Sequence, residues 1–202
     1  MKAKGKDIEK YIQEELLALL PRYRDGVGET VIYTSEGRYL DPRGVPWLVE
    51  RLASYYSLNL LELRRRCGRL LNLRHHISLP LSESLVLLPV KMRQSAELGE
   101  TTTGFINLQQ ILQILPPEEK AFAWLSRIQF KCGLQLKTLN TPETLRDRLR
   151  QGEVVRKDFL QRRSRGIAFA GLSRQALLEQ LPNCDCVLKD FFIDLFGLKK
   201  DE

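Results

Sequence analysis

Residues 83–108 read ESLVLLPVKMRQSAELGETTTGFINL, and the fold turns on this stretch. Leu85, Val86, Leu87 and Leu88 form a short continuous apolar block, the composition of a strand buried on both faces. Pro89 is expected to end it, because proline cannot donate to a sheet ladder. A polar excursion over residues 91–103 follows, and Phe105, Ile106, Leu108, Ile111, Leu112 and Ile114 then return the chain to the core. A long polar loop between two core strands can face a partner without disturbing the packing. Lys91, Arg93, Gln94, Thr101, Thr102 and Thr103 are therefore candidate binding residues.

Toward the N-terminus, residues 7–20 place Ile8, Tyr11, Ile12, Leu16, Leu19 and Leu20 at helical spacing, with Glu9, Lys10, Glu14 and Glu15 opposite. Pro21 is expected to end that helix. Residues 30–34 have strand composition, Ser35-Glu36-Gly37 is a turn, and Arg38-Tyr39-Leu40 is the returning strand. Residues 45–56 and 60–71 carry two helical apolar stripes separated by a break at 57–59, with Pro46 tolerated in the first turn. The pair also fits a helix-turn-helix over residues 45–71, whose second helix, with Arg64, Arg65, Arg66 and Arg69, would enter a major groove.

Toward the C-terminus, Pro116-Pro117 breaks the chain, and residues 121–130 and 133–139 read as a hairpin. Thr141-Pro142-Glu143 is a helix start, with an N-cap hydroxyl, a proline at the first helical position and an acid in the first turn. Gly152 is expected to close this helix, residues 153–161 to form a last strand, and Arg162, Arg163 and Arg165 to belong to a basic run. Further helices are expected from Ser173 to Leu181 and over 184–198, the second with Phe191, Phe192 and Phe196 on an apolar face suited to the core or a protein contact. The fold class is thus α+β, mainly antiparallel strands with flanking helices and helical N- and C-terminal extensions. Residues 1–28 would be an N-terminal helix and loop, 29–165 the core, and 166–202 a C-terminal helical extension.

Thirty-two Lys and Arg against 25 Asp and Glu leave a net charge of +7, which favours anionic partners, nucleic acid before membrane. No window holds the roughly 18 to 20 apolar residues of a bilayer span, and the opening MKAKGKDIEK has no signal-peptide core, so a cytoplasmic protein without membrane contact is expected. Cys67, Cys132, Cys184 and Cys186 are scattered, and neither the last two nor His75-His76 have the spacing of a zinc site, so neither a disulfide framework nor a metal or other cofactor is expected. No phosphate-loop, dinucleotide, nucleophile-elbow or zinc-protease motif is present. Binding without catalysis is the expectation.

In order and spacing, residues 31–163 resemble the competence transcription factor ComK family. The residues that carry this are Tyr33, Ser54 to Tyr56 followed by basic residues, the extended segment 74–79, the apolar strand reaching Pro89, and Gly104-Phe105-Ile106 where the family has a Gly-Trp-Ile type signature. Gly133-Leu134-Gln135-Leu136 and Val154-Val155-Arg156 complete it. Residues 105–160 are also similar to LytTR-type DNA-binding domains. The resemblance implies a sequence-specific DNA-binding transcriptional regulator, an activator in competence acting as a homo-oligomer on A/T-rich promoter sites, with protease adaptors as further partners. Three basic clusters would then meet phosphates: Arg64, Arg65, Arg66, Arg69 and Arg74; Lys91 and Arg93; and Arg156, Lys157, Arg162 and Arg163. Gln94 and the three threonines would reach base edges. A protein-interaction module built on the C-terminal phenylalanines is the alternative.

Overall fold

A computed structural model of the chain describes residues 6–24, 27–95, 100–117 and 125–170. Contacts divide the chain into two compact units, Met1–Leu160 and Gln161–Glu202. In the first, a helix α1 (Lys6–Gln13) precedes strands β1 (Leu16–Arg24), β2 (Val27–Thr34) and β3 (Arg38–Asp41). Helices α2 (Val45–Tyr55) and α3 (Leu60–Leu71) follow, then β4 (Leu79–Pro80), β5 (Val86–Lys91) and β6 (Thr103–Asn107). A single 3-10 turn (Leu108–Gln110) leads to β7 (Ile111–Leu115), β8 (Ser126–Phe130), β9 (Gln135–Thr138) and a long helix α4 (Pro142–Ala170). The strands form a six-stranded sheet in the order β3-β2-β1-β6-β5-β4 and a three-stranded sheet β7-β8-β9, paired antiparallel throughout. The α+β reading therefore holds. Of α4, residues 161–170 belong to the second unit, and the helices expected from Ser173 onward, with Cys184, Cys186 and the phenylalanine face, lie outside the described residues.

Five expectations are corrected. The helix expected over residues 7–20 stops at Gln13; Glu15 takes a left-handed conformation (φ 54°) and Leu16 opens a strand. Leu16, Leu17, Ala18 and Leu19 are all buried, which no amphipathic helix would allow but a central strand covered on both faces does. Pro21 lies inside β1, opposite Thr30, and ends nothing. Pro89 likewise lies inside β5, opposite Phe105; β4 pairs only with Val86 and Leu87, so the far edge of β5 carries no ladder partner at the proline.

Gly152 caps no helix, and residues 153–161 form no strand: α4 runs through both. A Cβ at residue 152 would stand 2.5 Å from Leu88 Cδ2 and 3.1 Å from Leu108 Cδ2, so the glycine is where the helix backbone lies directly on the sheet. Leu145, Leu149, Gly152 and Val155 form one stripe at intervals of four, three and three, and Leu145 and Val155 are buried. A mid-helix glycine costs about 1 kcal/mol against alanine, and the close approach it permits offsets that.

A polar tie within the six-stranded sheet and a seam to the three-stranded sheet flank β5 and β6. Asn107, buried at the end of β6, donates Nδ2 to the carbonyls of Leu16 and Ser84 (both 3.1 Å), while its Oδ1 accepts from the amides of Val86 (3.4 Å) and Gln109 (3.1 Å). At the other end Leu139 N–H donates to Lys91 O (2.9 Å), and Asn140 Oδ1 accepts from Lys91 N–H (2.6 Å). The polar excursion accordingly leaves β5 at a point held by the second sheet.

Candidate functional site: a basic groove

The site starts at the end of α3. Asn72 caps it in a left-handed conformation (φ 52°), its N–H directed to the carbonyls of Arg69 and Gly68, and the chain turns abruptly into an irregular connection before β4. His76, also left-handed (φ 53°), bends that connection again. Arg74, His75 and His76 are thereby set beside Arg64 of α3.

The facing wall comes from the sheet. Pro89 and Phe105 are cross-strand partners and share a face, and alternation along β6 puts Thr103 on that face too. Between the walls lies an open groove of about 310 Å³. Its apolar lining comes from Leu79, Pro89, Phe105 and the start of α2 at Val45 and Pro46, and its polar lining from Arg64, Arg74, the two histidines, Thr101 and Thr103.

The groove is electropositive. Arg148 of α4 donates Nη1 to His76 O (2.5 Å), adding a half-buried guanidinium, and burial lowers its pKa without discharging it. His76 is held below the ordinary histidine value, first by burial and then by the charges of Arg148, His75 and Lys91. Arg64, Arg74 and Lys91 have no carboxylate partner among the described residues. Unneutralised cations around a partly apolar concavity create a field that concentrates anions.

The first two clusters expected from sequence thus meet in part. Of the other candidates, Arg65 pairs with Glu62 (2.7 Å) on the surface of α3, and Arg66 reaches Asp158 of α4 (3.6 Å). Arg69 is exposed in the last turn of α3. Arg93 pairs with Glu100 (2.9 Å) and lies over the Tyr23 ring, while Gln94 is exposed beside it. Thr102 continues the hairpin by accepting from Met92 N–H (3.0 Å).

Arg156 and Lys157 of the third cluster line no part of this groove. Arg156 pairs with Glu153 (3.6 Å) and donates to Glu83 O (3.4 Å), and Lys157 borders a separate shallow groove with Leu112 and Val154. Arg162 and Arg163 are exposed on the part of α4 assigned to the second unit.

Arg148 is the site residue that sequence reasoning missed. Arg146 and Arg150 each follow an acid by three positions and pair with it (3.6 and 3.1 Å). Arg148 has Thr144, Leu145, Gln151 and Gly152 at those spacings, so no acid on its own helix can neutralise it. That pattern was the available signal, and Arg64 shares it, with Leu60, Leu61, Cys67 and Gly68 at the same offsets.

Among the described residues no three His, Cys, Asp or Glu gather to hold a metal ion, and no helix is long and apolar enough to cross a membrane. In comparisons with known proteins, no family model, no curated protein and no solved structure matches this chain.

Proposed function

We propose that the protein is a non-catalytic DNA-binding regulator of transcription that seats the DNA backbone along the basic groove and presents the β5–β6 hairpin to the bases. The observation that carries this reading is that Arg64 and Arg74 line one groove, that Arg148 binds its wall at His76 O and Lys91 acts on the same histidine, and that Arg64, Arg74 and Lys91 lack carboxylate partners among the described residues. The ComK resemblance supports the finer features: A/T-rich promoter sites, activation, a homo-oligomer and a cytoplasmic location. The LytTR resemblance loses a support, because the closing strand it needs is helix.

Fluorescence anisotropy against duplex DNA between 50 and 200 mM salt tests the reading. Four phosphate contacts give a slope of log affinity against log salt of about −3.6. Selection from a random DNA pool should enrich A/T-rich sites. No binding at the lowest salt would remove the proposal.

A second reading rests on the other groove, where Leu112 and Val154 are 58% and 45% exposed beside α4. Exposed apolar residues at an edge strand suit a protein contact. Loss of a partner complex on Leu112→Asp, with DNA binding unaffected, would favour it.

A further inference from the structure

Arg93 sits in the hairpin loop where a base-reading arginine would be sought, yet its guanidinium is occupied. Its Nη2 lies 2.9 Å from Glu100 Oε2, its central carbon lies 4.5 Å from the centre of the Tyr23 ring, and Nη1 is buried without a hydrogen-bond partner. The side chains of Arg93 and Glu100 keep only 24% and 11% of their exposure. Tyr23 is in turn a fixed post. It stands opposite Gly28 in the β1–β2 ladder, and its ring lies across the glycine, 3.4 Å from where a Cβ would stand. The Tyr23 hydroxyl accepts from Thr101 N–H (2.7 Å). One aromatic ring on β1 therefore holds both arms of the hairpin loop, one through Arg93 and the other through Thr101.

We infer that Arg93 is a positioning residue rather than a DNA contact: with Tyr23 and Glu100 it latches the two described arms of the hairpin together so that Gln94, Thr101 and Thr103 are preset for the bases. This rests on the proposed DNA-binding role. Holding a loop in its bound form before binding lowers the ordering cost of association.

Glu100→Gln separates the two roles by sign. If Arg93 touched phosphate, removing the neighbouring negative charge would tighten DNA binding. As a latch, the loss of the ion pair weakens it, by about fivefold, with the salt slope kept. Tyr23→Phe, which deletes only the hydroxyl, should weaken binding in the same way, and Arg93→Ala should do so without the loss of about 0.9 in slope that a phosphate contact entails. Arg93→Lys keeps the charge but loses the planar stack and should fail to restore affinity. Tighter binding by Glu100→Gln, or a slope lowered by Arg93→Ala, overturns the inference. Hydrogen exchange at the Thr101 amide in unbound protein is the independent measurement: Tyr23→Phe and Glu100→Gln should both speed it. Unchanged exchange overturns the latch, and accelerated exchange in a protein that binds no DNA upholds the latch while removing the proposed function.

Discussion

The groove and the outer face of α4 are both rich in arginine, but their charges are spent differently. On α4, Arg146, Arg150 and Arg156 each lie within 3.6 Å of an acid three residues earlier, and the first two pairs are well exposed. Such pairs contribute little to stability, typically under about 1 kcal/mol, and present a nearly neutral surface at a distance. Around the groove, Arg64, Arg74 and Lys91 have no such partner among the described residues, and Arg148 gives its hydrogen bond to a backbone carbonyl. The difference teaches that a count of basic residues locates nothing until the local acids have been subtracted.

The largest effect should come from emptying the groove. Arg64→Ala with Arg74→Ala removes two charge-assisted contacts worth roughly 1.5 kcal/mol each. DNA affinity should fall about a hundredfold, and the salt slope by about 1.8. Folding stability should change by less than about 0.5 kcal/mol, since neither side chain holds an ion pair among the described residues. Anisotropy and chemical denaturation read the two quantities separately. An unchanged affinity would put the groove on the same footing as α4.

Next is the seat of α4 itself. Gly152→Val drives a branched side chain into Leu88 and Leu108, and overpacking of this kind costs about 1–3 kcal/mol. Thermal unfolding should shift down by roughly 5 °C. Displacing the helix also moves Arg148 from His76 O, so DNA affinity should drop although no groove residue has been changed. A variant that loses stability but no affinity would show that Arg148 is dispensable.

What could be read in the sequence followed local chemistry. Both middle helices, the β2–β3 and β8–β9 hairpins, and the start of α4 were legible, because a cap, a turn or a period marks each. Thr141 Oγ1 does accept from Thr144 N–H (3.3 Å), and Gly133 has the positive φ (88°) that its turn demands. Tertiary contacts overrode local signals elsewhere. Leu16 and Leu19 fit a helical stripe, but Leu17 and Ala18 between them are buried as well, as a central strand covered on both faces requires. Gly152 reads as a helix end unless its partner Leu88, 64 residues earlier, is known. For the site, the loop and the Arg64 and Arg74 cluster were visible; that Arg148 joins them, and that Arg93 is tied to Tyr23, depends on contacts across 70 or more residues.

His76 gives a smaller effect, with opposite signs for folding and for binding. Its folded pKa lies below the ordinary 6.5, so between that folded value and about pH 6.5 the unfolded chain binds more protons. Its contribution to stability is full above about pH 6.5, declines as pH falls through that window, and levels off below the folded value. A phosphate placed among Arg148, His75 and Lys91 would raise the pKa again, so DNA binding takes up a proton and tightens as pH falls over the same window, by no more than about tenfold per unit. His76→Asn, which tolerates the left-handed backbone, should flatten both trends. Parallel denaturation and anisotropy between pH 5 and 7.5 measure them; trends of the same sign would mean that the histidine does not face the bound anion.

The smallest effect is expected on α4, and it bears hardest on the comparison. Arg146→Ala with Arg150→Ala removes as many positive charges as the groove double variant and leaves Glu143 and Asp147 uncompensated. By net charge alone it should therefore weaken DNA binding at least as much. If location decides, exposed charges farther than a Debye length of about 8 Å from the phosphates are screened at physiological salt. Affinity should then change by less than about twofold and the slope by less than one contact's 0.9. Stability should stay within about 1 kcal/mol, because two exposed i,i+3 pairs are all that is lost. A tenfold loss of affinity would place DNA against this face of α4 and move the interface away from the groove.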